Sequence, residues 1–131
     1  MPHILLVDDD DLFRKMLRLT LLKMGHKVTE ACNGKEAILA HKHEPADVVM
    51  TDLIMPEQEG LETIRTLKRT EPTLRIVAMS GGGRAGAPDF LQMAKGLGAD
   101  RILLKPFTND ELTTALNDLV GHQPVDIDST V

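Results

Sequence analysis

Five polar side chains each stand at the carboxyl end of an apolar, strand-like segment: Asp8, Asp9, Asp52, Ser80 and Lys105. Carboxylates are ligands that Mg²⁺ prefers in proteins, and a carboxylate can also attack phosphorus as a nucleophile. A hydroxyl and an ammonium group can share the charge on a transferring phosphoryl group. If the four segments that carry them belong to one parallel sheet, these side chains meet and form a divalent-metal and phosphoryl site.

The acidic run Asp8–Asp11 is costly unless a positive charge lies near it. Two like charges about 4 Å apart repel by roughly 4 kcal/mol at an effective dielectric constant of about 20. We predict that a metal ion and Lys105 offset this repulsion at Asp8 and Asp9. Asp10 and Asp11 are predicted to be solvated acids at the start of a helix, with Asp11 as its N-cap.

The composition indicates one soluble globular domain. The chain has 131 residues, a formal net charge of −5, one cysteine, and three aromatic residues, all Phe, so its core must be aliphatic. The net negative charge argues against duplex nucleic acid as the main partner, and a single cysteine excludes an internal disulfide. The N-terminus has no signal-peptide pattern, and no apolar run approaches the ~18 residues needed to cross a bilayer. We therefore expect a cytoplasmic protein without a membrane partner.

Strand-like and helix-like segments alternate along the whole sequence. The predicted strands are 3–7, 27–31, 47–51, 75–80 and 101–105, and the predicted helices are 11–24, 34–43, 59–70, 88–97 and 108–120. The first, third and fourth strands are almost continuously apolar, as expected for strands covered on both faces, whereas the second alternates like an edge strand. Strict alternation predicts right-handed crossovers and a mostly parallel sheet with helices on both faces. We predict one domain over residues 1–120 and a polar, flexible tail over 121–131.

The first helix has the clearest amphipathic pattern. Leu12, Met16 and Leu19 recur at helical spacing, and Phe13, Leu17 and Met24 widen the apolar stripe. Such a stripe normally faces the core.

The motifs together resemble the receiver domain of bacterial response regulators, in two-component signalling proteins of the single-domain, chemotaxis-regulator type. They are "VDDD" at 7–10, "ACNGKEAI" at 31–38, "TDLIMPEQEG" at 51–60, "AMSGG" at 78–82 and "LLKPF" at 103–107. The resemblance runs from His3 to Val120 with every motif in order. It implies a flavodoxin-like, doubly wound α/β fold with five helices and a five-stranded parallel sheet of order 2-1-3-4-5.

The resemblance also assigns roles to residues. Asp52 corresponds to the phosphoacceptor, which receives its phosphoryl group from a sensor histidine kinase or a histidine phosphotransfer protein. Asp9 corresponds to the direct Mg²⁺ ligand and Asp8 to the second acid, with the backbone carbonyl of Ile54 completing the protein's ligands. Mn²⁺ is the alternative ion.

Two further family positions concern phosphate binding and the switch. Ser80 matches the switch hydroxyl and Lys105 the phosphate-binding lysine, and a cis bond is implied between Lys105 and Pro106. In this family, phosphorylation then changes the face formed by the fourth helix, the fifth strand and the fifth helix, and this change relays the signal to a protein output partner.

Two departures from the family pattern concern that change. The family often has an aromatic residue where this chain has Ile102, and the loop after Ser80 contains "GGGRAGAP", which looks longer than usual. We therefore expect a partial conformational change upon phosphorylation.

Other functions fit these residues less well. An aspartate-nucleophile phosphatase needs a second acid two residues after its nucleophile, and that position is Ile54. We therefore expect no enzyme activity beyond self-phosphotransfer from a donor and self-dephosphorylation. A transcription regulator that lacks its output domain and a receiver that is never phosphorylated are two weaker hypotheses. The residues 81–86 fit a glycine-rich nucleotide motif only formally, since no acidic partner follows at the expected distance.

Overall fold

The computed structural model describes residues 1–53, 59–81 and 87–120. Within them, five strands alternate with five helices. The strands are β1 (His3–Val7), β2 (Lys27–Ala31), β3 (Val48–Asp52), β4 (Arg75–Gly81) and β5 (Arg101–Lys105). The helices are α1 (Asp11–Lys23), α2 (Gly34–His43), α3 (Glu59–Thr70), α4 (Ala87–Leu97) and α5 (Asn109–Val120). The predicted tail 121–131 lies outside the described residues, so its flexibility and the boundary at Val120 remain predictions.

The strands form one parallel sheet in the order β2-β1-β3-β4-β5, as predicted. The predicted edge position of β2 is confirmed, and the strands whose sequences are most continuously apolar lie in the interior of the sheet. Interior parallel strands are covered on both faces, which is why their sequences do not alternate.

Successive residues of β1 reach two separate cores. Ile4 and Leu6 pack with buried residues of α1 and α5, whereas Leu5 and Val7 pack with those of α2, α3 and α4. Side chains alternate between the faces of a strand, so a continuous apolar run supplies both cores at once. The fold is therefore a three-layer arrangement with helices on both faces of the sheet.

The ends of several elements differ by one residue from the prediction. β3 runs from Val48 to Asp52 and not from Asp47 to Thr51, so Asp52 is still part of the strand ladder, opposite Met79. The N-cap of α1 is Asp10, whose carboxylate accepts a hydrogen bond from the Phe13 N–H; the expectation that Asp11 is the cap was wrong. Asp11 instead lies in the first turn, where an acidic side chain interacts favourably with the helix dipole.

The predicted core face of α1 was correct for Leu17 but wrong for the three residues that define its spacing. Leu12, Met16 and Leu19 are 70%, 60% and 56% exposed, whereas Leu17 and Leu21 are buried. Apolar residues occupy more than one side of this helix, so periodicity alone could not determine which side packs against the sheet.

Gly60 in the first turn of α3 lies directly against the strand that carries Asp52. A Cβ atom at this position would lie 2.2 Å from the Asp52 carbonyl oxygen and 2.6 Å from the Leu53 Cα. Both contacts are with backbone, so a side chain can be accommodated only if α3 or the end of β3 moves.

We expect Gly60→Ala to lower the free energy of unfolding by about 2–3 kcal/mol, the upper part of the usual range for overpacking, because the contacts are with backbone. Gly96→Ala in α4 is the matched control: a Cβ there meets nothing within 4 Å, and alanine is the better helix former. That variant should be more stable by about 0.5–1 kcal/mol. Urea unfolding followed by circular dichroism measures both, and equal stability of the two variants would contradict the prediction.

Candidate functional site

The parallel register brings the ends of four strands to one edge of the sheet. Val7 pairs with Thr51, Asp52 with Met79, and Gly81 with Lys105. The residues that end or follow these strands therefore lie side by side, as the sequence predicted. In an open α/β sheet, this carboxyl edge is where ligands bind.

Asp8, Asp9 and Asp52 form an acidic cluster. One carboxylate oxygen from each lies within 4.8 Å of the others. Asp8 and Asp52 are buried and Asp9 is exposed, so the cluster opens to solvent on one side. Three oxygen donors on an accessible edge fit Mg²⁺, a hard ion that binds few carboxylates and keeps several waters.

Lys105 supplies a positive charge to this cluster. Its Nζ lies 2.7 Å from Asp8 Oδ2 and 3.6 Å from Asp52 Oδ1. The second Asp8 oxygen accepts a hydrogen bond from the Asp10 backbone N–H. The buried Asp8 carboxylate is therefore both paired and hydrogen-bonded, as burial of a charge requires.

The four consecutive aspartates thus have four different environments. Asp8 pairs with Lys105, Asp9 is exposed beside the cluster, Asp10 caps α1, and Asp11 forms an ion pair with Arg14 at 2.8 Å. Only the first two contribute oxygens to the acidic cluster.

Arg14 is a buried arginine whose role the sequence did not indicate. Its guanidinium donates to the Asp8 carbonyl oxygen at 2.7 Å and to Glu30 Oε1 at 2.8 Å, besides its ion pair with Asp11. Burial lowers the pKa of Arg14, but the hydrogen bonds to Glu30 and Asp11 outweigh this, and the pKa lies above its ordinary value. Arg14 therefore holds the backbone of Asp8 in place through its hydrogen bond to the Asp8 carbonyl oxygen. A charged residue within an apolar helix pattern is usually solvent-exposed, so the pattern carried no signal of this role.

Replacing Arg14 with Met should lower the free energy of unfolding by about 2–3 kcal/mol, because Glu30 and the Asp8 carbonyl would lose a buried donor. Arg18→Met is the matched control. Arg18 also contacts Glu30, at 3.3 Å, but its side chain is 42% exposed, compared with 9% for Arg14, and its loss should cost less than about 1 kcal/mol. Denaturation of both variants followed by circular dichroism provides the comparison, and equal losses would contradict the role given to Arg14.

Ser80 is fully buried at the same edge of the sheet. Among the described residues, its Oγ has no hydrogen-bond partner. A buried hydroxyl without a partner is uncommon and needs an explanation. An anionic group bound beside Asp52 would supply an acceptor for this hydroxyl.

The remaining predicted positions are placed as follows. Ile102 is partly buried and packs against the core on the α2, α3 and α4 side of the sheet. The bond from Lys105 to Pro106 is cis, as the resemblance implied. Ile54 lies outside the described residues, so the structure does not test its proposed carbonyl ligand.

These features describe a doubly wound α/β domain with an acidic pocket at the carboxyl edge of its sheet. A family model for the response regulator receiver domain matches residues 4–117. The chain belongs to this family, as the resemblance of its motifs predicted. Receiver domains are signalling proteins and not enzymes in the usual sense, and they generally bind Mg²⁺ in an acidic pocket of this kind.

Similar proteins include both short and long chains. The chemotaxis protein CheY of Thermotoga maritima is 33% identical over 88% of this chain and 94% of its own. That of Bacillus subtilis is 34% identical over 89% and 97%. A probable transcriptional regulator, ycf27 of Cyanidium caldarium, is 30% identical, but the match covers only 46% of it. The domain therefore also occurs within longer regulators.

Solved structures agree with the fold. A receiver domain protein from Clostridium thermocellum superposes with a TM-score of 0.84 at 27% identity, over 92% of this chain and 94% of that one. The CheY4 protein of Vibrio cholerae gives 0.82 at 28% identity, over 91% and 98%. In the described part of the chain, no helix is both long and apolar enough to cross a bilayer.

Proposed function

We propose that this protein is a phosphoacceptor receiver that takes a phosphoryl group onto Asp52 and relays that event to a protein partner. The observation that carries the proposal is the surroundings of Asp52. A carboxylate cluster, the Lys105 ammonium and the partnerless Ser80 hydroxyl lie at the same edge of the sheet in the described part of the chain. The proposed donor is the phosphohistidine of a sensor histidine kinase or a histidine phosphotransfer protein.

In the proposed step, an oxygen of the Asp52 carboxylate attacks phosphorus as the bond from phosphorus to the donor's imidazole nitrogen breaks. The imidazole leaves with the bonding electron pair and recovers a proton from water, so no oxidant or reductant is needed. Lys105 and the Ser80 hydroxyl stabilise the charge on the phosphoryl oxygens. Asp8, Asp9, Asp52 and the Ile54 carbonyl would hold Mg²⁺, or Mn²⁺ in its place, and the bound ion supplies further charge stabilisation.

Incubation with Mg²⁺ and acetyl phosphate, followed by intact mass measurement, tests the acceptor. The native protein should gain one phosphoryl group, and Asp52→Asn should gain none. Asp110→Asn, at an exposed position in the first turn of α5, is the matched control and should be modified like the native protein. An equal adduct on Asp52→Asn would place the acceptor elsewhere.

Phosphorylation should shift the conformational equilibrium of the face formed by α4, β5 and α5. An aspartyl phosphate adds on the order of one negative charge, by analogy with hydroxyl phosphates. Ser80 is the proposed contact of the new group, and it lies in β4, whose neighbour β5 carries Ile102. Reversing a 1:99 equilibrium needs about 5.5 kcal/mol of differential interaction. A small aliphatic side chain at position 102 has less surface to repack than an aromatic ring.

We therefore expect a partial conformational shift. Amide NMR spectra should be recorded with Mg²⁺ and beryllofluoride, a phosphoryl mimic. The β5 and α5 signals should then move only part of the way along the line that joins their positions in the inactive and the fully switched conformation. In Ile102→Tyr the same signals should move further along that line. A native protein that already lies at its end would contradict the prediction.

The output partner is proposed to be a protein and not nucleic acid, in keeping with the net charge of −5. We further propose that the protein acts in the cytoplasm and has no enzyme activity beyond self-phosphotransfer and self-dephosphorylation. A chain inserted into a longer regulator would retain the same acceptor chemistry, since all the described site residues lie between Asp8 and Lys105.

A further inference from the structure

Two of the three phenylalanines in this chain pack against each other, and one of them also contacts Lys105. The Lys105 Nζ lies 4.1 Å from the centre of the Phe13 ring. The Phe107 ring packs edge-on against Phe13, with the ring centres 6.1 Å apart and an interplanar angle of 88°. The backbone N–H of Phe13 is held by the Asp10 cap, so the start of α1 fixes where this ring lies.

The ring differs from the other contacts of Lys105 in one respect. Asp8 and Asp52, which lie 2.7 Å and 3.6 Å from the ammonium, belong to the acidic cluster. A divalent ion held by those carboxylates would repel the ammonium and weaken their attraction for it. The face of a phenylalanine ring also attracts a cation, but it is uncharged and does not bind Mg²⁺. The contact between the Lys105 ammonium and Phe13 can therefore persist when the carboxylates bind a divalent ion.

We propose that Phe13 is a positioning residue for Lys105, which keeps the ammonium beside Asp52 while the acidic cluster holds a divalent ion. This inference rests on the proposed phosphoacceptor function. Phe107 supports the ring from the side and limits its rotation. The sequence pattern predicted only a core role for Phe13, as a residue that widens the apolar stripe of α1.

The first test measures the position of the lysine directly. Protons above an aromatic ring resonate upfield, so the ε-methylene protons of Lys105 should be shifted upfield in the native protein. The shift should remain when Mg²⁺ is added, and it should vanish in Phe13→Leu, which keeps an apolar side chain but has no ring. Loss of the shift upon Mg²⁺ addition would overturn the inference, because the ring would then not hold the Lys105 ammonium while the ion is bound.

The second test measures the reaction with acetyl phosphate at saturating Mg²⁺. Phe13→Leu should be phosphorylated about threefold to tenfold more slowly, the size expected for a partly desolvated cation–π contact. Phe13→Tyr keeps the ring and should restore the rate. The affinity for Mg²⁺ should not fall in either variant, because Phe13 supplies no ligand.

Each outcome of the second test is decisive. A native protein that gains no phosphoryl group overturns the proposed function and the role of Phe13 with it. A native protein that is phosphorylated no faster than Phe13→Leu overturns the role of Phe13 alone. A loss of Mg²⁺ affinity in Phe13→Leu indicates structural damage, and a Phe13→Tyr that does not recover the rate shows that the ring is not what matters. Either result also overturns the inference.

Discussion

Replacing Lys105 with Met is expected to slow phosphorylation about tenfold to hundredfold and, at the same time, to strengthen Mg²⁺ binding. The loss of rate follows because an ammonium close to Asp52 no longer stabilises charge on the transferring group. The effect should be smaller than the roughly hundredfold to thousandfold loss for a fully enclosed donor, because Lys105 is partly exposed. The gain in affinity follows because Lys105 Nζ, 2.7 Å from Asp8 Oδ2, competes with the ion for the same carboxylates. The two effects have opposite signs, which general damage to the site would not produce.

The metal-free variant should also be less stable. Asp8 is fully buried, and removal of its paired cation should lower the free energy of unfolding by about 2–4 kcal/mol. Added Mg²⁺ should recover much of this loss, because an ion that binds only the folded state stabilises it. The chain has no Trp or Tyr, so circular dichroism should follow unfolding and calorimetric titration should measure Mg²⁺ affinity.

Lys95→Met, at an exposed position in α4, is the control for the loss of a lysine charge. It should change neither the rate of phosphorylation nor the affinity for Mg²⁺. Weaker Mg²⁺ binding by Lys105→Met would contradict the competition between lysine and ion. An unchanged rate of phosphorylation would exclude Lys105 from the chemistry.

Much of this architecture could be predicted because each strand's sequence reports its own environment. The continuous apolar runs of β1, β3 and β4 require two covered faces, and alternation of strand and helix requires parallel pairing. Once the sheet is parallel, the residues that follow its strands must meet at one edge. The proximity of Asp8, Asp52 and Lys105 was therefore predictable without knowledge of any side-chain contact.

What could not be predicted concerns α1 and the side chains that support the site. Apolar residues lie around most of this helix, so only tertiary packing determines that Leu17 is buried while Leu12 is exposed. Arg14 has no sequence pattern that indicates burial, since two of its three partners come from outside its own helix, from β2 and the loop after β1. Serine is common in loops, so the residue type of Ser80 indicated no particular role. Only the burial of its hydroxyl, without a hydrogen-bond partner among the described residues, distinguishes it from an ordinary loop serine.

Asp9→Asn is expected to weaken Mg²⁺ binding about tenfold to hundredfold while leaving the protein at least as stable as the native form. Loss of a residue that only hydrogen-bonds to a metal ligand can weaken metal binding by this much. Loss of a carboxylate that itself supplies a ligand should therefore weaken it no less. Stability should not fall, because Asp9 is exposed and its charge repels Asp8 and Asp52 when no ion is bound.

Asp10→Asn is a matched control one residue away on the same acidic run. Asp10 caps α1 through its side-chain oxygen, and asparagine caps a helix equally well, so stability should be retained. It contributes no oxygen to the acidic cluster, so Mg²⁺ affinity should change by less than about threefold, as expected for screening of a nearby exposed charge. Calorimetric titration of both variants with Mg²⁺ separates a specific ligand from general negative charge. Equal weakening in Asp9→Asn and Asp10→Asn would mean that the run attracts cations only through its total charge, and the proposed metal site would then have to be abandoned.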